Sequence, residues 1–224
     1  MEHRVIAIDG PSGAGKSTIA KAVGRLLGFL HVDSGALYRI MTLQALKAGI
    51  DCNDAGKVAA FANDVKVEFV VRDGAVAYLV DGEEPGDAIR TPAINASVSP
   101  VSKVPEVRAR VTAWLRGMRE LGDLIVEGRD IGSVVFPDSP ARFYLDASAE
   151  ARARRRHLEE VAKGIATQDE EAVKASLLNR DKIDSTRKTA PLKVADGAFV
   201  IDSTSLTISE VVDAVMSHLP DEWK

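Results

Sequence analysis

The stretch Gly10-Pro-Ser-Gly-Ala-Gly-Lys16-Ser17 constrains this chain more than any other. Two glycines bracketing four residues, followed by Lys and Ser, make a loop whose backbone N–H groups turn inward around phosphate oxygens. Such a loop belongs between a strand and a helix, because the helix start points its positive dipole end at the anion. Both flanks agree. "RVIAID" (4–9) is short and β-branched and predicts a buried strand. "KSTIAKAVGRLLG" repeats apolar residues at helical spacing through Ile19, Val23 and Leu26, with Gly28 as a stop. Nucleotide phosphates are expected on Gly10, Pro11, Ser12, Gly13, Ala14, Gly15, Lys16, Ser17 and Thr18. Lys16 should reach the β- and γ-phosphates, and the Ser17 hydroxyl should ligate Mg²⁺.

The rest of the chain repeats the strand–helix alternation. A second helix is expected over 34–49, strands over 124–128, 141–146 and 198–202, and helices over 148–164 and 207–219. Thr207 and Glu210 stand in capping-box spacing. Between the halves, "VKVEFVVRDGAVAYLVDGEE" (65–84) reads as two strands around Asp-Gly, a hairpin appended to the parallel core. A basic helical stretch follows at 104–121. The pattern predicts an α/β fold with a mainly parallel, doubly wound sheet. Ligands should sit at the carboxyl ends of its strands, where Gly10, Gly128 and Asp202 fall.

Composition narrows the setting. The 224 residues carry a net charge of -4, which argues against general nucleic-acid binding. The single cysteine, Cys52, precludes an internal disulfide and fits a reducing compartment. The N-terminus does not read as a secretory signal, and no apolar run approaches a membrane span. A cytoplasmic, monomeric protein without membrane or nucleic-acid partners is the expectation.

The phosphate loop alone leaves switch, motor and kinase open. A guanine-reading N-K-x-D is absent, and "NRDK" (179–182) is a scrambled version of it. "LIVEGRD" (124–130) lacks the acidic pair of a water-activating ATPase strand. A kinase instead needs cationic side chains around a second substrate. "DSGALYR" (33–39), "EGRDIG" (127–132) and "RDKIDSTRKTAPL" (180–192) place arginines beside small polar or acidic residues at strand ends or loops.

These strings, with "IRT" (89–91), "EGRDIGSVVFPD", "FYLDAS" and "VIDST", resemble bacterial cytidylate kinases of the P-loop nucleoside monophosphate kinase group over nearly the whole chain. The resemblance implies one three-layer P-loop kinase domain over 1–224. Within it, an acceptor region spans 34–121, with an antiparallel β insert near 65–91, and a helical lid spans 150–185. It implies ATP as donor with Mg²⁺, and CMP or dCMP as acceptor. Arg39, Arg129 and Arg187 would hold the acceptor phosphate, with Tyr38 nearby. Asp184, helped by Arg180, would bind the ribose. Ser34, Ser99, Arg108 and Asp130 would face the cytosine. Arg155 and Arg156 would close over the ATP phosphates. Lys16, Arg129 and Arg187 would act on the transferred group.

Plainer readings stand beside these. The Arg-rich helix could be a solvated face, with Glu150 paired to Arg154 at i,i+4. Asp33 reads as a helix cap, although it could also face Mg²⁺ through water. Trp114 reads as core. Two other functions remain open: a kinase for another small acceptor, and a nucleotide-dependent switch that binds a protein partner.

Overall fold

The computed structural model describes residues 3–162, 164, 166 and 168–224. Positions 1 and 2 of the expected domain, and 163, 165 and 167 of the expected lid, lie outside the described residues. Seven strands form one sheet: β1 (Val5–Asp9), β2 (Leu30–Asp33), β3 (Glu68–Arg72), β4 (Ala75–Leu79), β5 (Leu124–Gly128), β6 (Ala141–Asp146) and β7 (Phe199–Asp202). Their order is β3-β4-β2-β5-β1-β6-β7, with every pair parallel except β3–β4.

The central strands β1 and β5 are apolar up to the Asp9 and Glu127 near their carboxyl ends because both faces are covered, as expected of parallel sheets. Val5 and Ala7 of β1, with Leu124 and Val126 of β5, pack into one cluster. This cluster joins α2 (Ser34–Lys47), α3 (Ala55–Phe61), α4 (Pro92–Lys103) and α5 (Pro105–Gly117). Ile6, Ile8 and Ile125 point the other way, onto α1 (Lys16–Leu27) and α8 (Ile208–Ser217). The result is the expected three-layer α/β architecture. Gly28 ends α1 and the Thr207–Glu210 capping box starts α8, both as predicted. No helix among the described residues is long and apolar enough to cross a membrane.

The hairpin forms where Asp-Gly predicted it. Asp73 and Gly74 both have positive φ, 48° and 72°, which suits a two-residue turn matched to strand twist. It is more than an appendage, because β4 reaches the parallel core through the register pair His31↔Ala75 and extends the same sheet.

Three regions depart from the sequence reading. Residues 55–61 and 92–103, given no element, are the helices α3 and α4. α4 starts at Pro92 behind the Thr91 cap, and Pro100 inside it masked the helical pattern. "RDKIDST", read as strand end or loop, is the last turns of α7 (Glu170–Thr186). α7 packs against α6 (Ala149–Ala162) through Ala153, Val173 and Leu177, a core far smaller than those of the sheet.

Candidate active site

Most of the buried polar side chains line one open cleft of about 830 Å³. It lies beyond the carboxyl ends of β1, β2 and β5, where β1 feeds the glycine loop. Its wall carries 12–18 of the loop, Arg155 and Arg156, and every residue expected on the acceptor side. Gly10 and Pro11 stand behind the wall. A Cβ at Gly10 would lie 2.0 Å from the Leu145 carbonyl oxygen, and its φ of +147° also favours glycine. The Pro11 carbonyl accepts a 2.7 Å hydrogen bond from Lys16 Nζ.

On the donor side, Lys16 opens α1 and is buried. Burial, and then the Arg129 charge, lower its pKa to about 7. Glu127, at the end of β5, sits beside Ser17 and Lys16. Burial pushes its carboxyl up, but the His31 hydrogen bond and the Lys16 charge outweigh that and hold it below the usual range. His31 Nε2 lies 3.1 Å from Glu127 Oε1. Asp33 caps α2 by accepting from Ala36 N–H at 3.1 Å, the structural role expected of it. Its other oxygen lies 3.4 Å from Arg90 Nη2.

The loop is also held from outside. Ser12 N–H donates to Asp181 Oδ1 at 3.2 Å, and Arg152 donates to the Ser12 carbonyl at 2.9 Å and to Asp181. Arg155 donates to Ser203, and Arg156 pairs with Glu160 at 2.6 Å. Glu150 pairs with Lys174 on α7 at 3.0 Å rather than with Arg154, which corrects the i,i+4 expectation.

The acceptor side is a lattice of alternating charges. Arg129 Nε donates to Asp184 Oδ2 at 3.2 Å, and Arg187 Nη1 donates to Asp184 Oδ1 at 3.4 Å. Arg108 Nη2 donates to Asp130 Oδ2, and its guanidinium lies 5.2 Å from the Tyr38 ring centre. Burial, then Asp130, push the Tyr38 hydroxyl well up. Arg187 Nη2 is buried and has no hydrogen-bond partner among the described residues, and Asp130 Oδ1 lies 3.8 Å away. Arg39 Nη1 is held by the Ile89 carbonyl and Asn95 at 3.0 and 2.6 Å. Burial, then Arg180, lower the Arg39 pKa to about 10. Arg180 is likewise lowered to about 10, by burial and then Arg129, with Asp184 and Asp181 acting the other way. Three arginines with lowered pKa values and one orphaned buried donor therefore face the same cleft.

Small residues let these groups approach. Ser34 Oγ donates to the Glu127 carbonyl at 2.6 Å, and a Cβ at Gly128 would lie 2.6 Å from the Ser34 Oγ. Ser99 and Ser102 both line the cleft, and the Ser102 carbonyl accepts from Arg108 at 3.1 Å. Trp114 packs against the core and edge-on to Phe69, as expected of a core residue.

Sequence reasoning missed several members. Asp9 is buried at the end of β1 and accepts from Ile131 and Gly132 N–H at 2.7 Å each. A lone carboxylate ending an apolar strand was its only signal. His31 and Asp181 had none, since their partners lie 96 and 169 positions away. No cluster of three His, Cys, Asp or Glu suited to a metal occurs among the described residues.

Comparison with known proteins gives a consistent family. The cytidylate kinase family model matches residues 6–221. A cytidylate kinase of Geobacter sulfurreducens is 46% identical over 213 residues, covering 95% of this chain and 91% of that protein. One from Mycobacterium avium is 44% identical over 218 residues, covering 97% and 93%. Among solved structures, an uncharacterized protein from Eubacterium ventriosum shares the fold with a TM-score of 0.54 at 11% identity, over 96% of this chain and 97% of that one.

Proposed function

The chain belongs to the cytidylate kinase family, and from that premise we propose how its cleft moves a phosphoryl group from ATP to CMP. dCMP is included as an acceptor, because nothing in the proposed ribose contact, Asp184, demands a 2′-hydroxyl alone. Both half-sites lie in one chain, so the working unit is taken as the monomer.

The Arg108–Asp130 pair supports the base assignment. It sets a donor beside an acceptor, the complement of the N3 acceptor and N4 amino donor on cytosine. Uracil reverses that edge and would leave buried charges unpaired, a penalty that gives such sites strong discrimination. Ser34, Ser99 and Tyr38 complete that wall.

For the acceptor phosphate, the single observation carrying the reading is the orphaned Nη2 of Arg187, with Arg129 and Arg39 on the same cleft. A planar guanidinium can bind two phosphate oxygens at once. Asp184 and Arg180 would take the ribose. On the donor side, backbone N–H groups of 12–18 would cradle the phosphates, and Lys16 would become fully protonated against them. The acceptor oxygen then attacks the γ-phosphorus in line, the new P–O bond forms, and the bond to the β–γ bridging oxygen breaks. Charge neutralisation by Lys16, Arg129 and Arg187 dominates, and no covalent enzyme intermediate is needed.

Mg²⁺ fits the donor set. The Ser17 hydroxyl and the ionised Glu127 beside it are hard oxygen groups on one side of the phosphate loop. Bound there, Mg²⁺ would neutralise phosphate charge. α6 and α7 would act as the lid, bringing Arg155 and Arg156 to the phosphates. An ATP–CMP bisubstrate mimic should slow hydrogen exchange over 150–185, and unchanged exchange there would remove the lid assignment.

The deciding test is a coupled ADP-release assay with CMP, dCMP, UMP, AMP, GMP and dTMP. CMP and dCMP should be the best acceptors. If CMP is not among them, the acceptor is another small molecule. ATP hydrolysis that no acceptor accelerates would point instead to a switch.

A further inference from the structure

Asp9 touches neither half of the cleft, yet it joins them. It is the last residue of β1, directly before the phosphate loop, and is 1% exposed. Each carboxylate oxygen accepts one backbone N–H at 2.7 Å, from Ile131 and from Gly132. Those amides open a π-helical turn, Ile131–Val135. Inside the turn, Val134 and Val135 N–H donate to the Asp130 carbonyl, and Phe136 N–H donates to the Ile131 carbonyl. The first amides of a helical turn have no partner within it. Asp9 is therefore the cap of this turn, delivered from a strand 122 positions away.

The consequence falls on Arg129 and Asp130. The Asp130 carbonyl is fixed by the turn, and the amide that follows it is fixed by Asp9. With its peptide held on that side, Asp130 aims its carboxylate at Arg108. A π-helical turn is rare and is found mostly at functional sites. A buried carboxylate that only filled space would be costly, and here its two partners are both in the acceptor loop.

We propose that Asp9 is a positioning residue that sets the acceptor loop on the donor strand, and through it fixes how Asp130 and Arg129 meet the acceptor nucleotide. This rests on the base and phosphate roles proposed above. Asp9 does its work as the anion, since protonation would turn one acceptor oxygen into a donor facing an N–H. Its pKa is raised to about 6, by burial first, against the two backbone hydrogen bonds. The charged or titratable groups around it are Asp130, Lys16 and Tyr144.

Asp9→Asn retains the shape but sets an NH₂ against one of the two amides. Its dissociation constant for CMP should rise about tenfold or more, and its CMP:UMP ratio should narrow, while affinity for an ATP analogue stays within about twofold. A purely structural cap would lower the unfolding temperature without that split, so equal changes in both affinities, or none, overturn the proposal. If Asp9→Asn does not fold, amide NMR of the nucleotide-free wild type decides. The amides of Arg129 and Asp130 should titrate together with those of Ile131 and Gly132, with one midpoint near pH 6, and static signals at 129 and 130 overturn it. A wild type that binds CMP no better than UMP would sink the base assignment. A wild type that discriminates, with an Asp9→Asn variant that discriminates equally, would sink the Asp9 role alone.

Discussion

The half of the cleft proposed to take the donor is built mostly of backbone, and the half proposed to take the acceptor mostly of side chains. In the first, residues 12–18, the end of the glycine loop and the first residues of α1, line the wall, with one buried lysine among them. In the second, Arg39, Arg108, Arg129, Asp130, Asp184 and Arg187 come from α2, α5, the loop after β5, α7 and the residue that follows it. A backbone cradle is local and tolerates little change in shape, as the close approach of Gly10 to Leu145 shows. A side-chain lattice is assembled over long distances, and its specificity lies in which charge stands next to which.

Changes on either side should separate cleanly. The largest effect is expected at the donor lysine. Lys16→Met should lower kcat by about 10³-fold while leaving CMP affinity, read by calorimetry, nearly unchanged. A matching loss of CMP binding would mean that the halves are not separable. Next comes Asp184→Ala, which leaves Arg129 and Arg187 without their shared partner. It should cost about 10²-fold in kcat/KM for CMP with little change in ATP affinity, and loss of ATP affinity instead would undo the ribose role.

The smallest effect sharpens the donor side alone. With a free-site pKa of about 7, Lys16 is mostly neutral at pH 8 and must gain a proton against the triphosphate. ATP binding should then take up about 0.9 proton at pH 8, and ATP affinity should fall as pH rises above 7, by at most about tenfold per unit. Calorimetry in two buffers of different ionisation enthalpy measures this uptake. Lys16→Met should abolish it, and uptake that persists in that variant would assign the proton elsewhere.

The same contrast explains what could be read from the sequence. The donor half was legible because Gly10 to Ser17 is contiguous and its flanks carry strand and helix periodicity. Arg39, Arg129, Arg180 and Arg187 stand in the short strings and Arg108 came from the family resemblance alone, and the cleft gathers all five. The supporting residues Asp9, His31 and Asp181 were hidden for a physical reason: their contacts with Ile131, Glu127 and Ser12 lie 122, 96 and 169 positions away, and nothing local distinguishes them from a strand end, a strand interior or a polar helix face. α7 was misread because its final turns carry site residues in place of the apolar stripe that marks a packed helix. The hairpin turn was legible, but its single register pair with β2 was not, since Asp-Gly fixes the turn and not the neighbour of the strands.

The end of α7 has a consequence for traffic through the cleft. Asp181 holds the phosphate loop at Ser12, and Asp184, three residues further along the helix, holds Arg129 and Arg187. One helix thus carries a contact to each side of the cleft, so any displacement of α7 as the proposed lid would release the phosphate loop and the Arg129–Arg187 pair in a single movement.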